Sequence, residues 1–498
     1  MLYTSTRDKT VRVSSAQAIA QGISKDGGLF VPESIPAITP DFIASLLPLS
    51  YIERAKKILA LYLTDFTPEE IDACVNGAYQ AGKFSSDKVA PLQKIADGAY
   101  ILELWRGPTC AFKDMALQLL PYLLTTAAKK TVADKTIVIL VATSGDTGKA
   151  ALEGFRDVPG TKIMVFYPND GVSPMQKLQM TTQEGGNVCV CAINGNFDDA
   201  QNGVKKIFTD PAVAAKLDEN GMMFSSANSI NWGRLVPQIV YYISAYCDMI
   251  TAGEVKNGEE INIVVPTGNF GNILAAYYAK AMGVPVKTLV CASNANNVLT
   301  DFLTTGVYDR NRAFYTTTSP SMDILISSNL ERLLFHLAGD DDKRVAAWMR
   351  SLSATGTYTV EKDIREQLLA LFAAGCCDDE ATKETIQKTY AAGYLCDTHT
   401  AVAVNVFEAY RERSGDRTPT VIASTANPYK FSAAVLRAVL GSVPADADEF
   451  DQVELLIETT GEPCPKQLAT LRGKAPRFTA CCEKDDMERQ VYDMLGIG

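Results

Sequence analysis

Histidine is almost missing from this sequence: 498 residues contain two, His336 and His399. That leaves little raw material for a His-rich metal site or for a nucleophile driven by a histidine base, so no metal is expected. Cysteine is present twelve times but without arrangement. The close pairs are Cys189/Cys191, Cys376/Cys377 and Cys481/Cys482, and no C-x-x-C has a matching second half. Basic charge is also short, with 47 Lys and Arg against 58 Asp and Glu and a net charge of −11. No Lys/Arg run stands ready to neutralise a phosphate backbone, which argues against nucleic acid as a partner. No apolar run approaches the roughly 18 residues that span a bilayer, and the polar start MLYTSTRDKT lacks a basic-then-apolar leader. The expectation is a cytoplasmic protein with reduced thiols and no membrane partner. Composition does not choose between monomer and homodimer.

What the chain has is a rhythm. Apolar runs rich in β-branched residues are each followed by a Gly-containing turn and a helix-period pattern: YILELWRG then GPTCAFKDMALQLL, TIVILVAT then SGDTGKAALEGF, INIVVPT then GNFGNILAAYYAKAMG. KIMVFYP, NVCVCAI and VKTLVCA add further unalternating runs. Such runs suit strands buried on both faces, and their alternation with helices predicts an α/β fold of two doubly wound, mostly parallel sheets with helices on both sides. Composition shifts place a helical, irregular N-terminal domain at 1–95. A large domain follows at 96–130 and 240–440, with a small mobile one at 131–239 and a helical tail at 441–498.

Lys113 is the first residue whose placement asks for chemistry. In GPTCAFKDMALQLL it stands beside a stripe of Phe112, Met115, Leu119 and Leu123 at helical spacing, at what reads as the helix N-terminus. Burial and the positive end of the helix dipole both disfavour its charge, and a part-neutral lysine is a nucleophile suited to a Schiff base. The plainer reading is a lysine paired with Asp114 or stretched toward solvent. GNFGN (268–272) follows a strand and opens a helix, so its backbone N–H groups and the dipole make a phosphate cradle without basic side chains. ATSGDTGK (142–149) resembles a P-loop only superficially, having Thr143 where Gly is needed and Ala150 where Ser or Thr is needed. What remains there is a second anion site of Thr143, Ser144, Asp146 and Thr147. SSANSINWGR (225–234) gathers Asn228, Ser229, Asn231 and Arg234, more polar groups than one helix cap requires. STANPYKF (424–431) sets Thr425 at a strand's C-terminal edge, where open α/β sheets bind ligands.

Pyridoxal phosphate would use all of these at once, since it needs a lysine, a phosphate cradle and a partner for its ring nitrogen. GPTCAFKDMALQ, ATSGDTG, SSANSINWGR, VPTGNFGN and STANPYKF, in this order and preceded by YTSTR and DGGLFVPESIP, resemble the long microbial and fungal threonine synthases. The resemblance runs from the first residues to about residue 440. It implies Lys113 as the Schiff-base lysine and proton shuttle, with Gly268, Asn269, Phe270, Gly271 and Asn272 holding the cofactor phosphate. It places Asp146 near the pyridine 3′ oxygen and Thr425 at the ring nitrogen. Thr143, Ser144, Thr147, Asn228, Ser229 and Arg234 would bind the carboxylate and phosphate of O-phospho-L-homoserine, which the family converts with water to L-threonine and phosphate.

A hydroxyl at Thr425 does not hold the ring nitrogen protonated as a carboxylate would, which favours replacement and elimination over transamination. Asn427 stands where the family often has His. His399, in DTHTAVA, reads as a structural histidine with its hydrogen bonds made. Cys110, so close to Lys113, is expected to confer modest sensitivity to thiol reagents. Two other readings stay open: a serine/threonine dehydratase or phospho-amino-acid lyase with the same cofactor, and a non-enzymatic nucleotide-binding protein whose Gly loops are generic.

Overall fold

The computed structural model describes residues 1–132, 135–143, 145–170 and 172–498. Its larger sheet runs Phe372–Cys376, Val286–Ser293, Ile261–Pro266, Thr420–Ser424, Ala99–Glu103 and Leu92–Ala96. The first five strands are parallel and the sixth pairs antiparallel with Ala99–Glu103. Ile261–Pro266, Thr420–Ser424 and Ala99–Glu103 are buried throughout, as their unalternating apolar sequences require. The smaller sheet is wholly parallel, in the order Cys481–Glu483, Val188–Asn194, Thr161–Pro168, Thr136–Ala142, Met222–Ser225. Helices cover both sheets, so the expected α/β class of two doubly wound sheets is the observed one.

The expected boundaries do not all fall between elements. Residue 95 lies inside the edge strand Leu92–Ala96, and residue 239 lies inside the helix Trp232–Thr251. The tail is not purely helical: Cys481–Glu483 pairs with Val188–Asn194 and completes the small sheet's edge. Behind it Met487, Val491, Leu495 and Ile497 pack into one cluster with Val138, Leu140 and Phe166 of that sheet. A three-residue strand has too little pattern to stand out in sequence.

The N-terminal segment contributes a small antiparallel sheet of Asp8–Val13, Tyr3–Ser5 and Phe30–Pro32. Helices Tyr51–Tyr62 and Pro68–Tyr79 follow, each opened by a capping box, Ser50 with Glu53 and Thr67 with Glu70. This segment is fastened to the rest through Trp232, whose ring lies 5.3 Å from Tyr3, 5.5 Å from Tyr62 and 5.4 Å from Tyr278. Among the described residues no helix is long and apolar enough to cross a membrane.

Candidate active site

The loops leaving the C-terminal ends of three adjacent strands of the large sheet carry the chemistry. Ile261–Pro266 leads into GNFGN, Thr420–Ser424 into Thr425, and Ala99–Glu103 into the turn before Lys113. The strand order reverses between the first two, since the chain moves outward from Ile261–Pro266 through Val286–Ser293 to Phe372–Cys376 while Thr420–Ser424 lies on the other side. Such a switch point opens a crevice at the strand ends.

Lys113 opens a helix of one turn, Lys113–Leu117, and not the long helix its flanking stripe suggests. A second helix starts at Leu120 with Pro121 in its first turn. Proline lacks the N–H that would continue the ladder and crowds the preceding turn, so the two cannot merge. Met115, Leu119 and Leu123 are nonetheless fully buried. One turn gives little dipole, so the depressed basicity of Lys113 has another cause: burial pushes its amine down to about 8. Asp146 acts against that shift, while Arg234 and Lys430 reinforce it. Asp114 is not its partner. The Asp114 carboxylate turns back to accept from the Thr109 amide (2.8 Å) and hydroxyl (2.6 Å), and burial raises it to about 6.

A short antiparallel bridge fixes this turn against Thr425. The Phe112 amide donates to the Thr425 carbonyl at 2.8 Å and the Asn427 amide to the Cys110 carbonyl at 3.0 Å, around the facing pair Ala111 and Ala426. The Asn427 side chain accepts from the Tyr429 amide, a local capping role. Cys110 is buried and burial pushes its thiol up to about 12, which argues against the expected sensitivity to thiol reagents, because the reacting thiolate is disfavoured.

The GNFGN loop has the geometry of an anion cradle. Phe270 adopts a left-handed φ of 65° and caps the helix Gly271–Met282, whose first-turn N–H groups have no carbonyl of their own helix to meet. A Cβ on Gly268 would stand 2.8 Å from the Ser321 carbonyl oxygen, so glycine is needed for the loop to lie this close. The Asn269 carbonyl is held by the amide (3.0 Å) and side chain (3.1 Å) of Asn329, and the Gly268 carbonyl by the Ser327 hydroxyl. Asn272 Oδ1 accepts from the hydroxyls of Tyr241 and Tyr242, while its Nδ2 is buried without a partner among the described residues. An orphaned donor beside a helix N-terminus is what a phosphate would satisfy, so these residues fit a cofactor phosphate.

Helix Trp232–Thr251 links this cradle to the polar cluster at its own start. Gln238 Nε2 donates to the Arg234 carbonyl, and the Tyr241 hydroxyl lies 3.0 Å from Gln238 Oε1 and 2.9 Å from Asn272 Oδ1. Asn231 is the helix cap: its side chain accepts from the Gly233 amide and donates to the carbonyls of Ile19 and Ser226. Asn228 is exposed and Ser229 half-buried. Arg234 is buried, donates to the Ala227 carbonyl at 2.9 Å, and has no carboxylate partner among the described residues. Burial lowers its guanidinium to about 10. A buried cation left without an anion is a site for one.

The ATSGDTG loop leaves the strand Thr136–Ala142 of the small sheet. The Thr143 hydroxyl is committed within the loop, accepting from the amides of Gly145 and Gly148 at 3.0 Å each. Thr147 lies half-buried in the first turn of helix Asp146–Phe155, and Ser144 lies outside the described residues. Asp146 is buried and ion-paired to Lys430 at 2.7 Å, with Gln176 Nε2 donating at 3.1 Å. Burial alone would raise its carboxyl, but the charges of Lys430 and Lys113 hold it well below the usual carboxylate range.

Sequence reasoning missed Lys430, although it lies inside STANPYKF, and missed Arg332. The latter is fully buried and donates to the Phe30 carbonyl, to Asn329 Oδ1 at 2.6 Å and to the Ile230 carbonyl, bracing both anion sites from behind. Its signal is faint, an arginine among the leucines of the short helix Leu330–Leu337. The hydrogen bonds of His399 are made, as expected: its Nδ1 lies 2.7 Å from Asp397 Oδ2, and its Nε2 accepts from the Ser321 amide, in the segment that packs on Gly268.

Known proteins resemble this chain along most of its length. Residues 2–79 match the family model described as threonine synthase N terminus, 88–362 that of pyridoxal-phosphate dependent enzyme, and 400–491 that of threonine synthase, C-terminal. The chain is 40% identical over 461 residues to threonine synthase of Pseudomonas aeruginosa, covering 91% of this chain and 94% of that one. It is 40% identical over 436 residues to Threonine synthase-like 1 of Homo sapiens, covering 85% of this chain but only 58% of that longer relative. The crystal structure of a pyridoxal-phosphate-bound threonine synthase from Brucella melitensis superposes with a TM-score of 0.88 at 35% identity, covering 99% of each chain. The chain belongs to the threonine synthase family of pyridoxal-phosphate-dependent enzymes.

Proposed function

We propose that the protein converts O-phospho-L-homoserine and water to L-threonine and phosphate. The observation that carries this reading is the Arg234 guanidinium, buried, without a carboxylate partner among the described residues, and close enough to Lys113 for its charge to act on that amine. A dehydratase of hydroxy-amino acids needs the cofactor cradle and one site for the substrate carboxylate. Beyond the cradle at Gly268–Asn272 the chain offers Arg234 with Asn228, Ser229 and Thr147, more donors than one carboxylate takes up, which suits a substrate that carries a phosphate as well.

Bound pyridoxal phosphate would supply an electron sink for negative charge developing on the substrate carbons. Asn272 Nδ2 and the first-turn amides of Gly271–Met282 would hold its phosphate, and Thr425 would face its ring nitrogen as a hydroxyl and not as an anion. Lys113 would anchor the cofactor. With its basicity lowered to about 8, its amine can then take a proton from the substrate Cα and from Cβ and return one later near neutral pH. Arg234, Asn228, Ser229 and Thr147 would hold the substrate's anionic groups, orienting the phosphate on Cγ to leave. Thr143 would act by holding the loop's shape, since its hydroxyl is already engaged.

The test is to supply the cofactor-loaded protein with O-phospho-L-homoserine and identify the products. Threonine in step with phosphate supports the reading. Phosphate with 2-oxobutyrate would replace it with a lyase, and no turnover would remove the substrate assignment.

A further inference from the structure

Lys430 is a lysine buried to 3% exposure on the turn that follows Thr425, where the reaction as outlined gives it nothing to do. Its amine is fixed twice: it donates to the Thr109 carbonyl at 2.9 Å and pairs with Asp146 at 2.7 Å. Thr109 belongs to the turn that presents Lys113, while Asp146 opens the helix that follows the first central strand of the small sheet. One ammonium group thus joins the Lys113 turn, the large-sheet loop and the small-sheet loop.

The charged groups facing the Lys113 amine are Asp146, Arg234, Lys430 and Asp114. Asp114 is turned away onto Thr109. Asp146 is the remaining carboxylate, and among the described residues Lys113 makes no ion pair with it. Two lysines therefore compete for one buried carboxylate, and Lys430 holds it. An isolated buried carboxylate is costly, so freeing Asp146 from Lys430 would drive it toward Lys113, the other cation whose charge acts on it.

We propose that Lys430 is a positioning residue for the reaction: by engaging the Asp146 carboxylate it keeps Asp146 from pairing with Lys113 and leaves the Lys113 amine free to take up the cofactor. This rests on the reading of Lys113 as the cofactor-bearing lysine. The sign follows from the charges. Removing Lys430 takes away a positive neighbour and releases a negative one, so Lys113 holds its proton to higher pH. Removing the Asp146 charge does the reverse.

The experiment follows acetylation of Lys113 in the full-length chain, freed of cofactor, by trace acetic anhydride across pH, read by mass spectrometry of the Lys113 peptide. Wild type is expected to label with a midpoint near 8. Lys430→Gln should raise the midpoint by about one pH unit or more, with about ten-fold less reactive amine at pH 7 for each unit. Lys430→Arg should keep it near the wild-type value, and Asp146→Asn should lower it. A merely structural Lys430 would not move the Lys113 midpoint. An unchanged midpoint in Lys430→Gln would overturn the proposal whatever Asp146→Asn does, and should Lys430→Gln fail to fold, Lys430→Met takes its place. A Lys113 that labels equally with and without bound cofactor would instead overturn the reading of Lys113 itself.

Discussion

The Phe112 amide and the Thr425 carbonyl meet at 2.8 Å, which ties the residue before Lys113 to the hydroxyl-bearing residue at the end of the central strand Thr420–Ser424. Two chain segments far apart in sequence are thereby locked in one register. In the proposed site a lysine and a ring-nitrogen partner must sit at a fixed spacing to serve one cofactor, and a backbone bridge would set that spacing more firmly than side-chain contacts alone.

The Asn272 amide should be worth much of the cofactor's affinity. Asn272→Asp keeps an oxygen for Tyr241 and Tyr242 but sets a negative charge where Nδ2 stood. Losing a charge-assisted hydrogen bond of about 1.5–3 kcal/mol weakens binding about ten- to hundred-fold, before any repulsion is counted. Equilibrium titration of the cofactor-free variant with pyridoxal phosphate checks this, and an unchanged Kd would count against the cradle.

Arg234→Lys should raise KM for the phosphorylated substrate about ten-fold while changing kcat less. Lysine keeps the charge but not the fork that grips an oxyanion through two parallel N–H groups. Its amine would also lose the hold on the Ala227 carbonyl that aims the guanidinium. Steady-state kinetics at fixed ionic strength separates the two parameters, and a fall in kcat alone would place Arg234 at the reacting carbons and not at a binding group.

Thiol reagents should find Cys376 and Cys481, which are exposed, well before Cys110. Wild type and Cys110→Ala are expected to lose activity at the same rate under such a reagent. Protection of activity by Cys110→Ala would show a thiol far more accessible and more acidic than burial allows.

Deleting residues 480–498 should lower the Tm and expose apolar surface to a dye. Cys482, Met487, Val491, Leu495 and Ile497 are buried against the small sheet, and each such side chain contributes about 1.5–3 kcal/mol when fully covered. The truncation also bares the edge of Val188–Asn194. A truncated chain with the Tm of the full one would refute a structural role for the tail.

The strands were legible because burial on both faces writes continuous apolar runs, as in INIVVP and TIVILVA. The Gly loops were legible because a loop pressed against neighbouring backbone excludes side chains, as the 2.8 Å that a Cβ on Gly268 would leave to the Ser321 carbonyl oxygen shows. Lys430 and Arg332 were not. A buried cation leaves little mark in its own segment when partners such as Asp146 in one case, and the carbonyls of Phe30 and Ile230 in the other, come from distant parts of the chain. The single turn at Lys113 was obscured for the opposite reason, since its apolar stripe keeps helical spacing straight through the break that Pro121 imposes.

Reduction of the cofactor-loaded protein with borohydride, followed by peptide mapping, tests the central claim most directly, because it fixes the cofactor to whichever amine holds it. A pyridoxyl group on Lys113 alone is the expected result. The same group on Lys430 or Lys149, with Lys113 unmodified, would contradict the site as described here.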